Sequence, residues 1–244
     1  MTAAEAPLLT VSGLCAGYGS ATVVHDVELA VRDGETVVLI GPNGHGKTTV
    51  LRAVTGLVPP RAGEVVFAGE RIDGMSAEAI TERGVIHVPQ GDHLFGALTV
   101  EENLLMGAFP RAAWRERAKA LERIFALFPV LRERRAQRTR TLSGGERRQV
   151  ALGRGLMRRP RLLIIDEPSL GLAPVIVQAV YEAIGQIADE GSTALLLVEE
   201  NFRHIEQLAD HVCLLEMGRV VRSGAPAELA DDPAVAGAYL GAIA

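Results

Sequence analysis

The chain has 244 residues, of which 48% are hydrophobic and 4% aromatic, and it carries a formal net charge of −5. This length and aliphatic composition favour one large domain of packed α/β layers over an all-β sandwich. No run is apolar enough to span a membrane, no signal-peptide pattern opens the chain, and Cys15 and Cys213 form no CxxC pair, which predicts a cytosolic protein.

The first part of the chain is predicted to alternate strands with glycine-containing turns. Apolar or alternating runs predict strands at Leu8–Ser12, Val23–Val31, Thr36–Ile40, Gly63–Ala68 and Gly84–Val88. The turn Arg32-Asp33-Gly34 is expected to join the second and third strands as a β-hairpin. Helical patterns run from Lys47 to about Gly56 and over Ala77–Glu82.

From Gln90 to Gln149 the pattern becomes helical and rich in charge. Its predicted elements are a capping box of Thr99 and Glu102, a short helix through Gly107, and one longer amphipathic helix over Arg111–Leu127. Residues 90–151 hold twelve Arg or Lys against seven Asp or Glu, a net charge of +5, which leaves −10 for the rest of the chain. A basic block in an acidic protein indicates a separate module with its own surface.

The last part of the chain returns to strands that alternate with helices. Arg161–Ile165 is too apolar for a surface strand and is predicted to be a central parallel strand. The elements after it are predicted as a helix (Val175–Glu190), a strand (Thr193–Val198), a helix (Phe202–Ala209) and two short strands (His211–Glu216 and Arg219–Ser223). This order implies an α/β fold with a mostly parallel sheet covered by helices. Ligands bind at the carboxyl ends of such strands, so we expect the loops after Ile40 and Ile165 to lie together.

The loop after Ile40 matches the phosphate-loop pattern G-x-x-x-x-G-K-[ST] without a mismatch. Its glycines let backbone N–H groups turn towards phosphates, and the helix that follows adds the positive end of its dipole. Lys47 is expected to neutralise the β- and γ-phosphates, and the Thr48 hydroxyl to bind Mg²⁺. His45 is expected to act through its backbone N–H rather than its imidazole. The predicted nucleotide-binding residues of this loop are Gly41, Pro42, Asn43, Gly44, His45, Gly46, Lys47, Thr48 and Thr49.

Two carboxylates, Asp166 and Glu167, follow the apolar run that ends at Ile165. Adjacent residues on a strand point to opposite sides, so the two acids should have different tasks. Asp166 is expected to hold Mg²⁺ through water. Glu167 is expected to be the catalytic base that orients and activates the attacking water, because this needs a carboxylate close to the γ-phosphate.

Between these two loops lies the run Leu142-Ser143-Gly144-Gly145-Glu146. Here the chain resembles the ATP-binding subunits of ABC transporters, whose signature is LSGG followed by Gln or Glu, and the resemblance covers essentially the whole chain. It implies a P-loop NTPase core with a mostly parallel sheet, an antiparallel β subdomain and an inserted α-helical subdomain. The corresponding division is one domain over 1–244, with residues 1–89 and 150–244 as the nucleotide-binding core and 90–149 as the helical subdomain.

The resemblance also implies roles for residues outside the two loops. Tyr18 would stack on the adenine, and Gln90 would contact Mg²⁺ and the attacking water as a third catalytic residue beside Lys47 and Glu167. Residues 169–172, after Glu167-Pro168, match the loop that crosses to a partner subunit.

A second subunit is implied by the signature run. Ser143, Gly144 and Gly145 at a helix start offer a hydroxyl, backbone N–H groups and a dipole end to an anion. In the family this run closes on the ATP of the other subunit, so two identical or homologous subunits enclose two ATP molecules with Mg²⁺. The family also implies permease subunits as partners at the cytoplasmic face of the membrane, a solute-binding protein as an indirect partner, and no nucleic acid.

Three further runs resemble the branched-chain amino-acid uptake subfamily: Thr99–Leu104, Ser169–Pro174 and Val198–Asn201. Relatives that import urea or short amides share much of this pattern, so both solute classes are compatible with it. Most family members have a histidine against the γ-phosphate where this chain has Glu200. A phosphate would repel that carboxylate unless it is protonated, bridged by Mg²⁺ or turned away, which predicts slower hydrolysis. His204, one helical turn on, could substitute for the histidine but is interpreted as a solvated residue on a helix face.

Three alternatives remain compatible with the sequence. A DNA-associated ATPase of the same architecture would use a basic surface, but the insertion of about sixty residues has no sustained heptads. A subunit that binds ATP and hydrolyses it weakly is compatible with Glu200, although Lys47, Asp166 and Glu167 are all present. Export is compatible too, because the transported solute does not touch this subunit.

Overall fold

Two β-sheets organise the chain. The structure is a computed structural model that describes residues 6–109, 111–200, 202–230 and 235, with the side chains of 111 and 112 left out. The strands are β1 (Leu9–Tyr18), β2 (Ala21–Val31), β3 (Thr36–Ile40), β4 (Ala62–Phe67), β5 (Glu70–Arg71), β6 (Val85–Val88), β7 (Leu162–Asp166), β8 (Ala194–Glu199), β9 (His211–Glu216) and β10 (Arg219–Gly224). The helices are α1 (Lys47–Val54), α2 (Ala77–Glu82), α3 (Val100–Met106), α4 (Arg111–Arg115), α5 (Arg117–Leu127), α6 (Pro129–Glu133), α7 (Gly144–Leu156), α8 (Pro174–Asp189) and α9 (Pro226–Ala230), with 3₁₀ turns at Thr139–Thr141 and Phe202–His204.

The larger sheet has the strand order β10-β9-β3-β8-β7-β6. Its neighbouring pairs are parallel except β9 with β10, which confirms the predicted parallel sheet. Every residue of β3, β7 and β8 is buried, as expected for strands covered on both faces. Because β8 lies between β3 and β7, the carboxyl ends of these three strands meet at one edge of the sheet.

The smaller sheet is antiparallel, with the order β2-β1-β4-β5. The predicted β-hairpin through Arg32-Asp33-Gly34 is wrong, because β2 pairs with β1 whereas β3 pairs in parallel with β8 and β9. The turn itself forms, since the Glu35 N–H donates to the Arg32 carbonyl at 3.2 Å. Several residues along β2 are exposed while β3 is buried on both faces, so the two strands suit different sheets.

The predicted helices over Arg111–Leu127 and Phe202–Ala209 differ most from the observed elements. The helix predicted over Arg111–Leu127 is divided into α4 and α5 at Glu116, whose φ of −95° and ψ of 4° leave the helical range. The helix predicted over Phe202–Ala209 is regular only as the 3₁₀ turn Phe202–His204. There Phe202 and Ile205 are both fully buried, and their three-residue spacing matches the period of a 3₁₀ turn.

The end of β1 also differs from the prediction. β1 continues to Tyr18 instead of ending at Ser12, with irregular pairing to β2. α7 extends to Leu156 and therefore crosses the predicted subdomain boundary at residue 149, which stays a prediction.

The aliphatic core forms one cluster on each side of the larger sheet. Along β3, Val38 and Ile40 pack into the cluster that includes α3, α5, α7 and α8. Val37 and Leu39 point to the other side, into the cluster formed with α1 and the antiparallel sheet. This alternation fixes β3 in the middle of the molecule and holds the loop that follows it. Among the described residues, no helix combines the length and apolar character that crossing a membrane requires.

Candidate functional site

The loop between β3 and α1 has the backbone shape that its glycines predict. Gly46 has a φ of 107°, in the left-handed region, and caps the start of α1. A Cβ at Gly41 would lie 2.2 Å from the Leu215 carbonyl oxygen, so a larger residue would push the loop away from β9. Glycine therefore permits both the turn and the close packing here.

Lys47 is buried at the start of α1, at 4% exposure. Its Nζ donates to the carbonyl of Gly41 at 2.8 Å and to that of Pro42 at 3.2 Å. The same nitrogen lies 3.6 Å from Glu167 Oε1 and 3.8 Å from Glu200 Oε1. Two carboxylates thus pair with the lysine where a phosphate would have to compete with them.

Thr48 and Asp166 form the part of the site suited to a metal ion. The Thr48 hydroxyl donates to Asp166 Oδ1 at 3.4 Å, and Asp166 is 1% exposed. Burial raises the pKa of Asp166, although the hydrogen bond from Thr48 and the charge of Lys47 lower it in part. No group of three or more Cys, His, Asp or Glu side chains in the described part of the chain could hold a metal. A hydroxyl and one carboxylate fit Mg²⁺, which takes its remaining ligands from phosphates and water.

Glu167 follows β7 and faces both Lys47 and Gln90. Its backbone has a φ of 47°, which turns the side chain away from the strand direction of Asp166. Gln90 Nε2 donates to Glu167 Oε2 at 2.9 Å. The structure therefore brings Lys47, Thr48, Asp166, Glu167 and Gln90 to one edge of the sheet, and confirms that the two predicted loops lie together.

The surroundings of Glu167 raise its pKa above the ordinary value of a glutamate. Burial raises the pKa of Glu167, Lys47 lowers it, and the like charges of Asp166, Glu200 and Glu199 raise it further. A general base must be ionised to accept a proton. The pH at which Glu167 gains its proton should therefore set the acidic limit of catalysis.

This pKa shift predicts the effect of Glu200→Gln on the pH profile. In the wild type, kcat/KM for ATP should fall as the pH drops through a value above the ordinary pKa of a carboxyl. Removing the negative charge of Glu200 stabilises ionised Glu167, so the acidic limb should move to lower pH. Steady-state ATPase assays across pH measure this shift, with the exposed Glu206→Gln as the control. An acidic limb that stays in place would contradict the assignment.

The signature residues lie at the start of α7. Ser143 is the N-cap, and its hydroxyl accepts from the Glu146 N–H at 3.4 Å while the Glu146 carboxylate accepts from the Ser143 N–H at 2.8 Å. A Cβ at Gly145 would lie 2.0 Å from Ile176 Cγ2 of α8. Ser143 itself is exposed and Gly144 is partly exposed. The helix start is therefore open to solvent at its N-cap.

Two other predicted site residues have partners outside the phosphate loop. Tyr18 ends β1 at 45% exposure, and its hydroxyl accepts from Arg52 Nη1 at 3.0 Å. The imidazole Nδ1 of His45 accepts from the Met217 N–H at 3.2 Å, and the His45 carbonyl accepts from the Gly218 N–H at 3.0 Å. His45 thus anchors the loop to the β9–β10 turn, while stacking of Tyr18 on adenine stays a prediction.

The sequence reading missed a buried carboxylate at the end of β8. Glu199 is 2% exposed, and its Oε1 accepts from the Ser169 hydroxyl at 2.9 Å and from the Tyr181 hydroxyl. Its Oε2 accepts from the Glu200 N–H at 3.1 Å. Glu199 thereby joins the loop after Glu167 to the loop that carries Glu200. The available signal was an acid directly after an uninterrupted apolar strand.

The interpretation of His204 as a solvated histidine on a helix face is wrong. His204 is partly buried in the 3₁₀ turn, and its ring packs against that of Tyr181 with centroids 5.1 Å apart. The three-residue turn directs it towards α8 instead of solvent. Asn201, the last residue of the run that starts at Val198, lies outside the described residues.

A buried arginine in α7, Arg148, was also missed. It occupies the apolar stripe of the helix together with Gly145, Leu152 and Leu156, all of them buried. A charge on such a stripe was visible in the sequence, but its partners were not.

A glycine-rich loop that closes on a buried lysine, beside two carboxylates at the edge of a parallel sheet, defines a nucleotide-binding protein of the phosphate-loop class. The sequence profile described as ABC transporter matches residues 24–170. The chain belongs to the ABC transporter family. ATP-binding domains of this family hydrolyse ATP to drive transport, so the chain is an ATPase, as predicted.

Individual relatives agree with this assignment. The chain is 43% identical over 224 residues to the high-affinity branched-chain amino acid transport ATP-binding protein BraG of Pseudomonas aeruginosa, covering 92% of this chain and 95% of that protein. It is 33% identical to the probable branched-chain amino acid transport ATP-binding protein LivF of Archaeoglobus fulgidus, covering 88% and 91%. A solved ATP-binding subunit of an ABC transporter superposes with a TM-score of 0.78 at 30% identity, covering 96% of each chain, which confirms the predicted fold class.

Proposed function

We propose that this chain is the ATP-hydrolysing subunit of a membrane transporter that takes up branched-chain amino acids or a related small solute such as urea or an amide. The observation that carries the proposal is the convergence of Lys47, Asp166, Glu167 and Gln90 at the edge of the parallel sheet. The similarity to BraG and LivF supports the choice of solute.

In this proposal Glu167 takes the proton from a water that attacks the γ-phosphorus of ATP. The new P–O bond forms as the bond to the β–γ bridging oxygen breaks, and ADP leaves with that oxygen. Lys47 leaves its carboxylate partners and binds the phosphate oxygens, which frees Glu167 to act as the base. Gln90 orients Glu167 and the water. Thr48 and Asp166 would hold Mg²⁺, which when bound offsets the negative charge of the phosphates.

The proposal includes a second ATP-binding subunit. Ser143, Gly144 and Gly145 are assigned to the ATP of that subunit, and residues 169–172 to the crossing loop between the two. The exposed N-cap of α7 supports this arrangement, because its free end can meet an anion that another chain holds. Binding of ATP would close the pair and hydrolysis would release it.

A groove lined by residues of α2, β6, α3 and α7 supports a permease partner. It has a volume of about 560 Å³, and Leu57, Phe95 and Met106 line it as exposed apolar side chains beside Arg154 and Arg158. Such a surface suits a short amphipathic segment of a permease that carries an acidic residue. We assign the subunit to the cytoplasmic face of the membrane through this contact.

The solute is tested by transport. Cells that lack this gene should lose uptake of labelled leucine, isoleucine and valine, and wild-type protein should restore it. The Glu167→Gln variant, produced at the same level, should not. If uptake of urea or acetamide is lost instead, the amide branch of the proposal is correct, and if uptake of none of these solutes changes, the proposed solute class is wrong.

Glu200 is proposed to slow hydrolysis, which predicts a faster Glu200→His variant. The wild-type carboxylate holds Lys47 at 3.8 Å and would face the γ-phosphate. Removing one like charge near a partly screened site is worth about 1 kcal/mol, or roughly a 5-fold gain in kcat. Steady-state hydrolysis by the purified protein at saturating ATP measures this gain in kcat. An unchanged turnover would assign Glu200 no part in setting the rate.

A further inference from the structure

Arg148 holds the main chain of two loops at once. It is 3% exposed within α7. Its Nη1 donates to the carbonyls of Pro89 and Gly91, each at 2.9 Å. Its Nη2 donates to the carbonyl of Asp166, also at 2.9 Å. One guanidinium therefore bridges the loop after β6 and the end of β7.

These three carbonyls belong to the chain neighbours of two residues assigned to hydrolysis. Pro89 and Gly91 are the immediate neighbours of Gln90, whose Nε2 donates to Glu167. The Asp166 carbonyl belongs to the peptide that leads into Glu167. Any shift of Arg148 would therefore move Gln90 and Glu167 relative to each other.

Stability alone is a weak reason for an arginine at this position. Burial lowers the pKa of Arg148, although Asp92, Asp166 and Glu199 raise it. Within the described chain its guanidinium donates to carbonyls and has no carboxylate at ion-pair distance, and its Nε has no hydrogen-bond partner. Apolar residues of similar volume often stabilise such a position better than a buried charge. The planar guanidinium group of an arginine, however, can donate to several fixed acceptors at once.

We propose that Arg148 is a positioning residue for ATP hydrolysis, which holds Gln90 against Glu167 and couples both of them to the signature helix α7. The proposal rests on the proposed roles of Gln90 and Glu167. Because Ser143 caps the same helix, a movement of α7 caused by ATP on a second subunit would reach this subunit's own Gln90 through Arg148.

Single variants give the first test. Arg148→Gln should lower kcat by about 10- to 100-fold, because small misplacements of reacting groups have effects of this size. KM for ATP should change by less than about threefold, since the phosphate loop is untouched. Arg148→Lys keeps the charge without the planar guanidinium group and should fall between wild type and Arg148→Gln. Arg132→Gln, a surface arginine paired with Glu122, is the matched control and should keep wild-type kinetics.

A double-mutant cycle with Gln90→Ala separates positioning from general stabilisation. If Arg148 acts through Gln90, the double variant Gln90→Ala with Arg148→Gln should hydrolyse ATP little more slowly than Gln90→Ala alone. The proposal is overturned if the loss of kcat in the double variant equals the product of the two single losses. It is also overturned if Gln90→Ala leaves kcat unchanged while Arg148→Gln lowers it.

Melting temperature and ATP binding are measured for every variant in the cycle. If Arg148→Gln does not fold, Arg148→Lys takes its place with the same criteria. A failure of the proposed function would look different, because Glu167→Gln would then hydrolyse ATP at the wild-type rate.

Discussion

Glu167→Gln should lower the rate of ATP hydrolysis by about 100-fold or more while the protein still binds ATP. The amide keeps the size of the side chain and can still accept the hydrogen bond from Gln90. It takes no proton from the attacking water, so the reaction stops before ADP forms. In the proposed two-subunit arrangement, ATP would then keep the pair closed. Light scattering after size-exclusion chromatography should show a dimer with ATP and Mg²⁺ and a monomer without them.

The control for this prediction is Glu78→Gln, which changes an exposed glutamate of α2. It should hydrolyse ATP like the wild type and should not be trapped as a dimer. If Glu167→Gln hydrolyses ATP at the wild-type rate, Glu167 has no catalytic role. If it loses hydrolysis but stays a monomer with ATP bound, the catalytic role stands and the paired arrangement is wrong.

The charges around Lys47 suggest an order of events in the reaction. Lys47 lies near both Glu167 and Glu200, so the proposed base is paired with the residue that we propose to bind phosphate. In the proposed mechanism ATP would bind the lysine, so that Glu167 would lose its nearest positive charge and gain a polyanion beside it. Both changes would raise the proton affinity of Glu167, which would make it a stronger base once ATP is bound.

Local sequence patterns predicted the parts of the site that depend on local backbone. The phosphate loop needs glycines at fixed spacing before Lys47, and the signature run was expected to start a helix, where Ser143 is the N-cap of α7. Both are short-range requirements that a pattern expresses directly. The loops after β3 and β7 were predicted to lie together because both strands are apolar, as central strands of a parallel sheet are.

Long-range contacts were not predictable in the same way. Arg148 bonds to a carbonyl 59 residues earlier in the chain, and Glu199 accepts from a serine 30 residues earlier. The sequence marks each as a charge in an apolar element without indicating its partner. The error at Arg32–Gly34 has the same origin, because a turn determines local direction whereas burial determines which sheet a strand joins.

Ser143→Arg should abolish hydrolysis in the paired protein and leave binding of ATP to the single subunit nearly unchanged. A bulky side chain at the exposed N-cap of α7 would block the approach of a second subunit's phosphates and would remove the hydroxyl cap. Loss of the cap alone costs about 1 kcal/mol. Ser76→Arg is therefore the matched control, because Ser76 caps α2 through the Ala79 N–H in the same way and should retain hydrolysis.

Mixing two inactive variants tests whether each ATP site draws on two chains. Lys47→Ala removes the lysine proposed to bind phosphate, and Ser143→Arg should block the signature residues at the start of α7. In a mixed pair, Lys47 of the Ser143→Arg chain faces the intact signature of the Lys47→Ala chain, so one of the two sites is complete. Random pairing of equal amounts leaves about a quarter of all sites complete in a symmetric dimer. The mixture should therefore regain up to that share of wild-type ATPase activity. A mixture as inactive as its components would mean that each chain completes its own site, because only a site built from two chains can be restored by exchanging partners.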